Sequence, residues 1–179
     1  MEKRVKAVTF KGTPLTLVGP LLKAGDKAPD FKTHRFTADK GLFAVNLGDA
    51  CGGKATLFSV VPSLDTGVCS TQTQKFNKEL SALAGKVYSY TVSVDLPFAQ
   101  NRFCGDPSHK IDNLVSLSDY QERSFGQAYG VLIDELKLLG RSIFVVGKDG
   151  KISYCEYVPE VTQEPNYERA IAALRTAAG

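Results

Sequence analysis

A chain of 179 residues, 43% hydrophobic and 23% charged, is long enough to bury a full core and has the make-up of a globular protein in water. Its net charge of +3 is mild, and no stretch concentrates Lys and Arg with aromatics, which argues against a nucleic-acid surface. No apolar run approaches the roughly 18–20 residues of a membrane span, and Met1–Val5 passes into a strand-like pattern without an apolar leader, so the expectation is a cytoplasmic protein.

Taken in order, Val5–Phe10 and Pro14–Val18 read as two strands of a hairpin turning at Lys11-Gly12-Thr13. Gly19-Pro20, Gly25-Asp26 and Pro29-Asp30 mark an irregular connection. Phe31–Phe36 reads as a short strand; His34 within it is a surface or partly packed side chain rather than a ligand, since no second ligand is near in sequence. Phe43–Leu47 is a weaker strand that runs into a loop over residues 48–53, where Cys51 is incidental. Lys54–Val61 is β-branched and apolar, the pattern of a buried strand, and Pro62 ends it. Beyond Cys69, Phe76, Leu80, Leu83 and Ala84 recur at helical spacing, with Gly85 as the stop.

Val87–Val94 alternates as a strand does, and Asp95-Leu96-Pro97 interrupts it. Phe98–Cys104 forms a short helix or turn closed by Gly105-Asp106-Pro107, and His109 beyond it is solvated. Leu114–Leu117 is a short strand and Gln121–Tyr129 a helix stopped by Gly130. Ser142–Val146 and Ile152–Val158 form a second hairpin through Asp149-Gly150, with Cys155 a packing residue. Asn166–Ala177 closes the chain as a helix with Ile171 and Leu174 inward. This order predicts an α/β protein of one domain over residues 1–179. Its central mixed sheet is flanked by helices in a thioredoxin-like fold, and a hairpin over about residues 4–18 extends it at the N-terminus.

The four cysteines, Cys51, Cys69, Cys104 and Cys155, include no C-x-x-C pair, and His34 and His109 are the only histidines, so neither a zinc site nor a thioredoxin-type dithiol is expected. Cys69 stands out by position. It falls in the first turn of a helix, just past the carboxyl end of a strand, where unpaired backbone N–H groups and the helix dipole favour a thiolate, the nucleophilic form of the side chain. The alternative is a buried, inert cysteine in a core helix, and position alone leaves both readings open.

Pro62-Ser63-Leu64-Asp65-Thr66-Gly67-Val68-Cys69 resembles the active-site loop of peroxiredoxins, Pro-x-x-x-Thr-x-x-Cys. The segments Asp95–Gln100, Arg102-Phe103-Cys104-Gly105, Leu117-Ser118-Asp119, Ala128–Val131, Gly140-Arg141-Ser142, Tyr157–Glu160 and Glu164–Tyr167 extend the resemblance over nearly the whole chain. They point to the atypical two-cysteine subgroup of bacterial thiol peroxidases. The resemblance implies that Cys69 is the peroxidatic cysteine and Cys104 the resolving one. It also makes Thr66 and Arg141 activating residues and Pro62 a shield over the pocket. Read without it, Arg141 is a surface ion pair and Thr66 a helix N-cap.

The implied reaction reduces hydrogen peroxide and organic hydroperoxides through a Cys69 sulfenic acid and a Cys69–Cys104 intrachain disulfide. Thioredoxin is the implied reductant, the protein a homodimer, and no metal, flavin or nucleotide is called for. Pro97, Gly105 and Pro107 around Cys104 suit a segment that unwinds during each cycle. The chain departs from the family after Gly105, where Asp106-Pro107-Ser108 replaces the common Ala-Glu-Gly. Two rival readings keep the fold: a redox-switched binding module, and an oxidoreductase acting on protein thiols.

Overall fold

Residues 1–179 are described by a computed structural model. The chain enters through β1 (Lys3–Phe10) and β2 (Thr13–Val18), paired antiparallel with Phe10 opposite Thr13. Lys11 and Gly12 both take positive φ, 50° and 80°, the left-handed pair that a tight two-residue hairpin requires. β3 (Lys32–Thr37) and β4 (Gly41–Asn46) form a second antiparallel pair. The loop expected over residues 48–53 is instead mostly a short helix, α1 (Leu47–Cys51), because Asn46 and Asp49 form a reciprocal capping box.

β5 (Thr56–Val60) is buried on both faces, as its unbroken apolar run requires, and leads into α2 (Gly67–Leu80) and one 3₁₀ turn at Ser81–Leu83. β6 (Tyr88–Ser93) runs parallel to β5, then α3 (Pro97–Gly105) crosses to β7 (Val115–Ser118), parallel to β6. α4 covers only Ser124–Ala128, shorter than expected, since the Asp119 carboxylate accepts from Phe125 N and Gly126 N and starts the helix there. β8 (Leu132–Ile133), absent from the sequence reading because two residues carry no periodicity, adds to β2. β9 (Ser142–Val146), β10 (Ile152–Tyr157) and α5 (Tyr167–Ala178) complete the chain.

The main sheet has the order β10-β9-β5-β6-β7-β3-β4, and β1-β2-β8 form a separate three-stranded sheet. Alternation along the central strands divides the interior in two. Phe58, Val60, Phe144 and Val146 point to one side, joining Phe31, Tyr90, Phe125 and Tyr129, the last two stacked with centroids 4.2 Å apart. Leu57, Ile143 and Val145 point to the other, under Phe76 and Leu80 of α2 and Ile171 and Leu174 of α5. Side-by-side parallel β5 and β6 bring the starts of α2 and α3 together at their carboxyl ends, where open α/β sheets place their sites.

The two histidines differ from expectation. His34 is buried at 7% exposure, its ring edge-on to Tyr120, because β3 lies between β4 and β7. His109 is half-buried rather than fully solvated: the turn after α3 folds it back over Phe103, with ring centroids 4.1 Å apart.

Candidate active site

Pro62 stops the β5 ladder and a short loop follows, fastened by one carboxylate. Asp95, at the end of β6, accepts from Ser63 Oγ, Leu64 N and Ser93 Oγ, each at 2.7 Å. Thr66 then occupies the N-cap position of α2, yet its side chain caps nothing. Its hydroxyl lies 3.0 Å from Ser63 O and 2.8 Å from Cys69 Sγ, and its single proton can serve only one of them at a time. The backbone N–H that an N-cap threonine would accept is not engaged, because the hydroxyl is turned towards the sulfur.

Cys69 is the third residue of α2 and fully buried, clustered with Val61 and Leu64, and Phe103 of α3 packs against that cluster. Arg141, just before β9, is 3% exposed and pairs with no carboxylate, so it is not a surface ion pair. Its Nε donates to Val161 O at 2.9 Å, one terminal nitrogen to Gln72 Oε1 at 2.6 Å, and the other to Cys69 Sγ at 3.3 Å. A planar fork with fixed donors is thereby locked in one orientation, with its permanent charge against the sulfur. Gln72 in turn donates to Ser59 Oγ at 2.8 Å, so the relay is tied to β5.

The hairpin at the N-terminus completes this wall. Glu160 accepts from the Thr162 amide and hydroxyl, from Gly12 N and Lys11 N, and from Thr9 Oγ1. The Thr162 and Gly12 amides and the Thr162 and Thr9 hydroxyls hold its carboxyl far below the usual carboxylate range. Val161, whose carbonyl orients Arg141, is pinned beside it through Val161 N to Thr9 O. Phe10, Pro62, Val68, Ile133, Leu136 and Val161 line a mostly apolar cavity of about 470 Å³, with Thr66 and Arg141, the two groups touching the sulfur, in its wall.

The structure thus brings Thr66, Arg141 and Pro62 to one cavity, with the buried Cys69 sulfur just behind its wall, in contact with Thr66 and Arg141. Cys104 is elsewhere: half-buried near the end of α3, it packs into the core under α2 and α5, and burial pushes its thiol up despite a hydrogen bond with Ser116. All four cysteines are free thiols. Cys51 packs against the aromatic core, where burial pushes its thiol up, and Cys155 Sγ donates to Leu22 O at 3.3 Å. Both occupy packing positions.

Two functional side chains escaped the sequence reading. Gln72 shares a buried helical face with Cys69, Thr73, Phe76 and Leu80, and a glutamine on that apolar stripe was the signal. Asp95 was read as a strand breaker and as part of a segment of the family resemblance, without a role; that it fastens the loop after β5 to the end of β6 depends on the two strands being neighbours.

Comparison with known proteins agrees with this geometry. Residues 23–171 match the Redoxin family model. The chain is 51% identical over 168 residues to the thiol peroxidase of Bacillus subtilis, covering 94% of this chain and 96% of that one. It is 52% identical over 170 residues to the thiol peroxidase of Listeria innocua, covering 95% and 98%. The crystal structure of a peroxiredoxin-like protein from Aquifex aeolicus superposes with a TM-score of 0.82 at 40% identity, covering 96% of this chain and 97% of that one. A cysteine in the first turn of a helix, a buried arginine on its sulfur and these relatives lead to one assignment: the chain belongs to the redoxin family, among the thiol peroxidases.

Proposed function

We propose that the protein reduces hydroperoxides with Cys69 as nucleophile and Cys104 as resolving thiol. The observation that carries this is the convergence of the Thr66 hydroxyl and the Arg141 guanidinium on Cys69 Sγ beside the 470 Å³ cavity. Two donors hold the sulfur in one place, and the same two donors can pass to the peroxide oxygens as the S–O bond forms. Thiolate sulfur attacks the nearer oxygen, the O–O bond breaks, and the leaving alkoxide or hydroxide takes a proton. Cys69 becomes a sulfenic acid and the peroxide an alcohol or water. Pro62 walls the cavity without an N–H that would need a partner.

Cys104 thiolate then attacks the sulfenic sulfur, expelling hydroxide, which leaves as water, and forming a Cys69–Cys104 disulfide. A bridge requires Cα atoms within about 7 Å and facing side chains, whereas here Cys69 sits in a cluster with Val61 and Leu64 while Cys104 packs into a different core. The ends of α2 and α3 that carry the cysteines therefore unwind between the two steps. A dithiol reductant reopens the bridge by exchange; thioredoxin is the reading that membership of the family favours. The catalytic unit is the whole chain as one domain, a reading supported by Glu160, which binds the N-terminal hairpin to the wall holding Arg141. A homodimer through the start of α3 is favoured by Leu96 and Phe98, which are 53% and 54% exposed. No helix is long and apolar enough to cross a membrane, and the site of action is the cytoplasm.

Consumption of hydrogen peroxide and of an organic hydroperoxide, with thioredoxin and its reductase, tests the reading. Cys69→Ser abolishes turnover. Cys104→Ser still forms a sulfenic acid, trapped by a dimedone-type reagent, but does not cycle. Wild-type protein that consumes no peroxide, or that oxidises to a covalent dimer, contradicts the assignment.

A further inference from the structure

We infer that His109 is a positioning residue for the disulfide-forming step: it clamps the last turn of α3 shut by holding Phe103, a side chain packed against the cluster that contains Cys69. The inference rests on Cys104 being the resolving thiol. The carbonyls of a last helical turn lack partners within the helix, so what satisfies them decides how firmly the end is closed. At Phe103 O the only backbone donor is Asp106 N, at a long 3.4 Å. His109 Nδ1 lies 2.9 Å from the same oxygen, and its Nδ1–H tautomer donates to it.

The imidazole also stacks on the Phe103 ring, with centroids 4.1 Å apart and planes 28° from parallel. One residue thus holds both the backbone and the side chain of Phe103, and that side chain packs against the cluster of Val61, Leu64 and Cys69 as well as the core under α2 and α5. A local turn sets the geometry, with Ser108 N on Asp106 Oδ1 at 2.8 Å and His109 N on Asp106 O at 3.0 Å.

The surroundings leave little else to do this work. Residues 105–108 are exposed. Beyond His109, Asn77 of α2 fastens the chain, its side chain donating to Lys110 O and accepting from Asp112 N and Asn113 N. The segment is therefore anchored at 110–113, and between that anchor and α3 the His109–Phe103 contact is the fastening that must release. Release frees Phe103 from the cluster that contains Cys69 and lets Cys104, its neighbour, leave the core. It lies in the stretch where Asp106-Pro107-Ser108 departs from the common family pattern.

The test is single turnover on reduced protein with one equivalent of hydrogen peroxide, quenched with an alkylating agent and read by mass spectrometry as thiol, sulfenic acid and disulfide. Losing one hydrogen bond and one stacked ring pair in His109→Ala accelerates conversion of sulfenic acid to disulfide by roughly five- to tenfold. Peroxide attack at Cys69, which His109 does not touch, stays at the wild-type rate, a split that a general loss of stability does not produce. His109→Phe keeps a stacking ring without the donor and falls between the two. A disulfide step unchanged or slowed in His109→Ala overturns the clamp. Disulfide formation persisting in Cys104→Ser overturns instead the resolving role on which the clamp rests, so the two failures are told apart.

Discussion

Removing the Asp95 carboxylate separates the two halves of the proposed cycle. It accepts three hydrogen bonds of 2.7 Å, two from the loop ahead of Cys69 and one from Ser93, whose hydroxyl also accepts from Gln100 of α3 at 2.9 Å. One side chain therefore latches the loop at the start of α2, which must open, and through Ser93 is linked to the first half of α3. Hydrogen bonds to a charged acceptor are worth about 1.5–3 kcal/mol each, but Asp95 is half-exposed and water replaces part of what is lost, so the set contributes about 2–3 kcal/mol. Asp95→Ala shifts the closed-to-open equilibrium of the loop by roughly 30- to 150-fold. Asp95→Asn, which keeps one acceptor oxygen, shifts it by about fivefold, near 1 kcal/mol.

The assay is the quenched single turnover described for His109, run on both variants. Disulfide formation accelerates in the order wild type, Asn, Ala, by up to those factors. Peroxide attack, which uses the closed pocket while that remains the majority state, changes by less than about threefold. A disulfide step that is unchanged or slower in a folded Asp95→Ala protein refutes the latch.

The Arg141 relay predicts that Arg141→Lys lowers the second-order rate constant with peroxide by about 10²–10³, since one ammonium cannot serve Val161 O, Gln72 Oε1 and Cys69 Sγ together. Gln72→Leu leaves the guanidinium in place but unsteered and costs about tenfold; the chain has no tryptophan, so competition against a reporter peroxidase measures both, and a fully active lysine variant contradicts the relay. The Cys104 thiol predicts a pH dependence. Burial raises its folded value above the unfolded one, so the folded helix holds the proton, and stability is lost as pH rises past the ordinary thiol value near 8.5. Amide exchange across α3, corrected for intrinsic rates, rises as pH climbs past about 8.5 in wild type and not in Cys104→Ser; identical profiles contradict it.

The strands, the long helices and the reactive loop are legible in the sequence because each is written locally. Lys54–Val61 has nowhere to go but a buried strand, Pro62 must end its ladder, and the spacing from Phe76 to Ala84 makes a helix with Cys69 in its first turn. Short elements were not legible: α1 depends on a capping pair and β8 on a neighbour, and neither leaves a periodic trace. The Thr66 contact is local, three residues from Cys69, but the rest of the chemistry around the sulfur was decided by tertiary structure. Arg141 and Cys69 are 72 positions apart, so their 3.3 Å contact exists because β9 pairs antiparallel with β5, which leads into the loop carrying Cys69. Gln72, Asp95 and His109 take their roles from the same source. Each is a polar side chain whose partner is chosen by packing, and nothing in its local sequence names that partner.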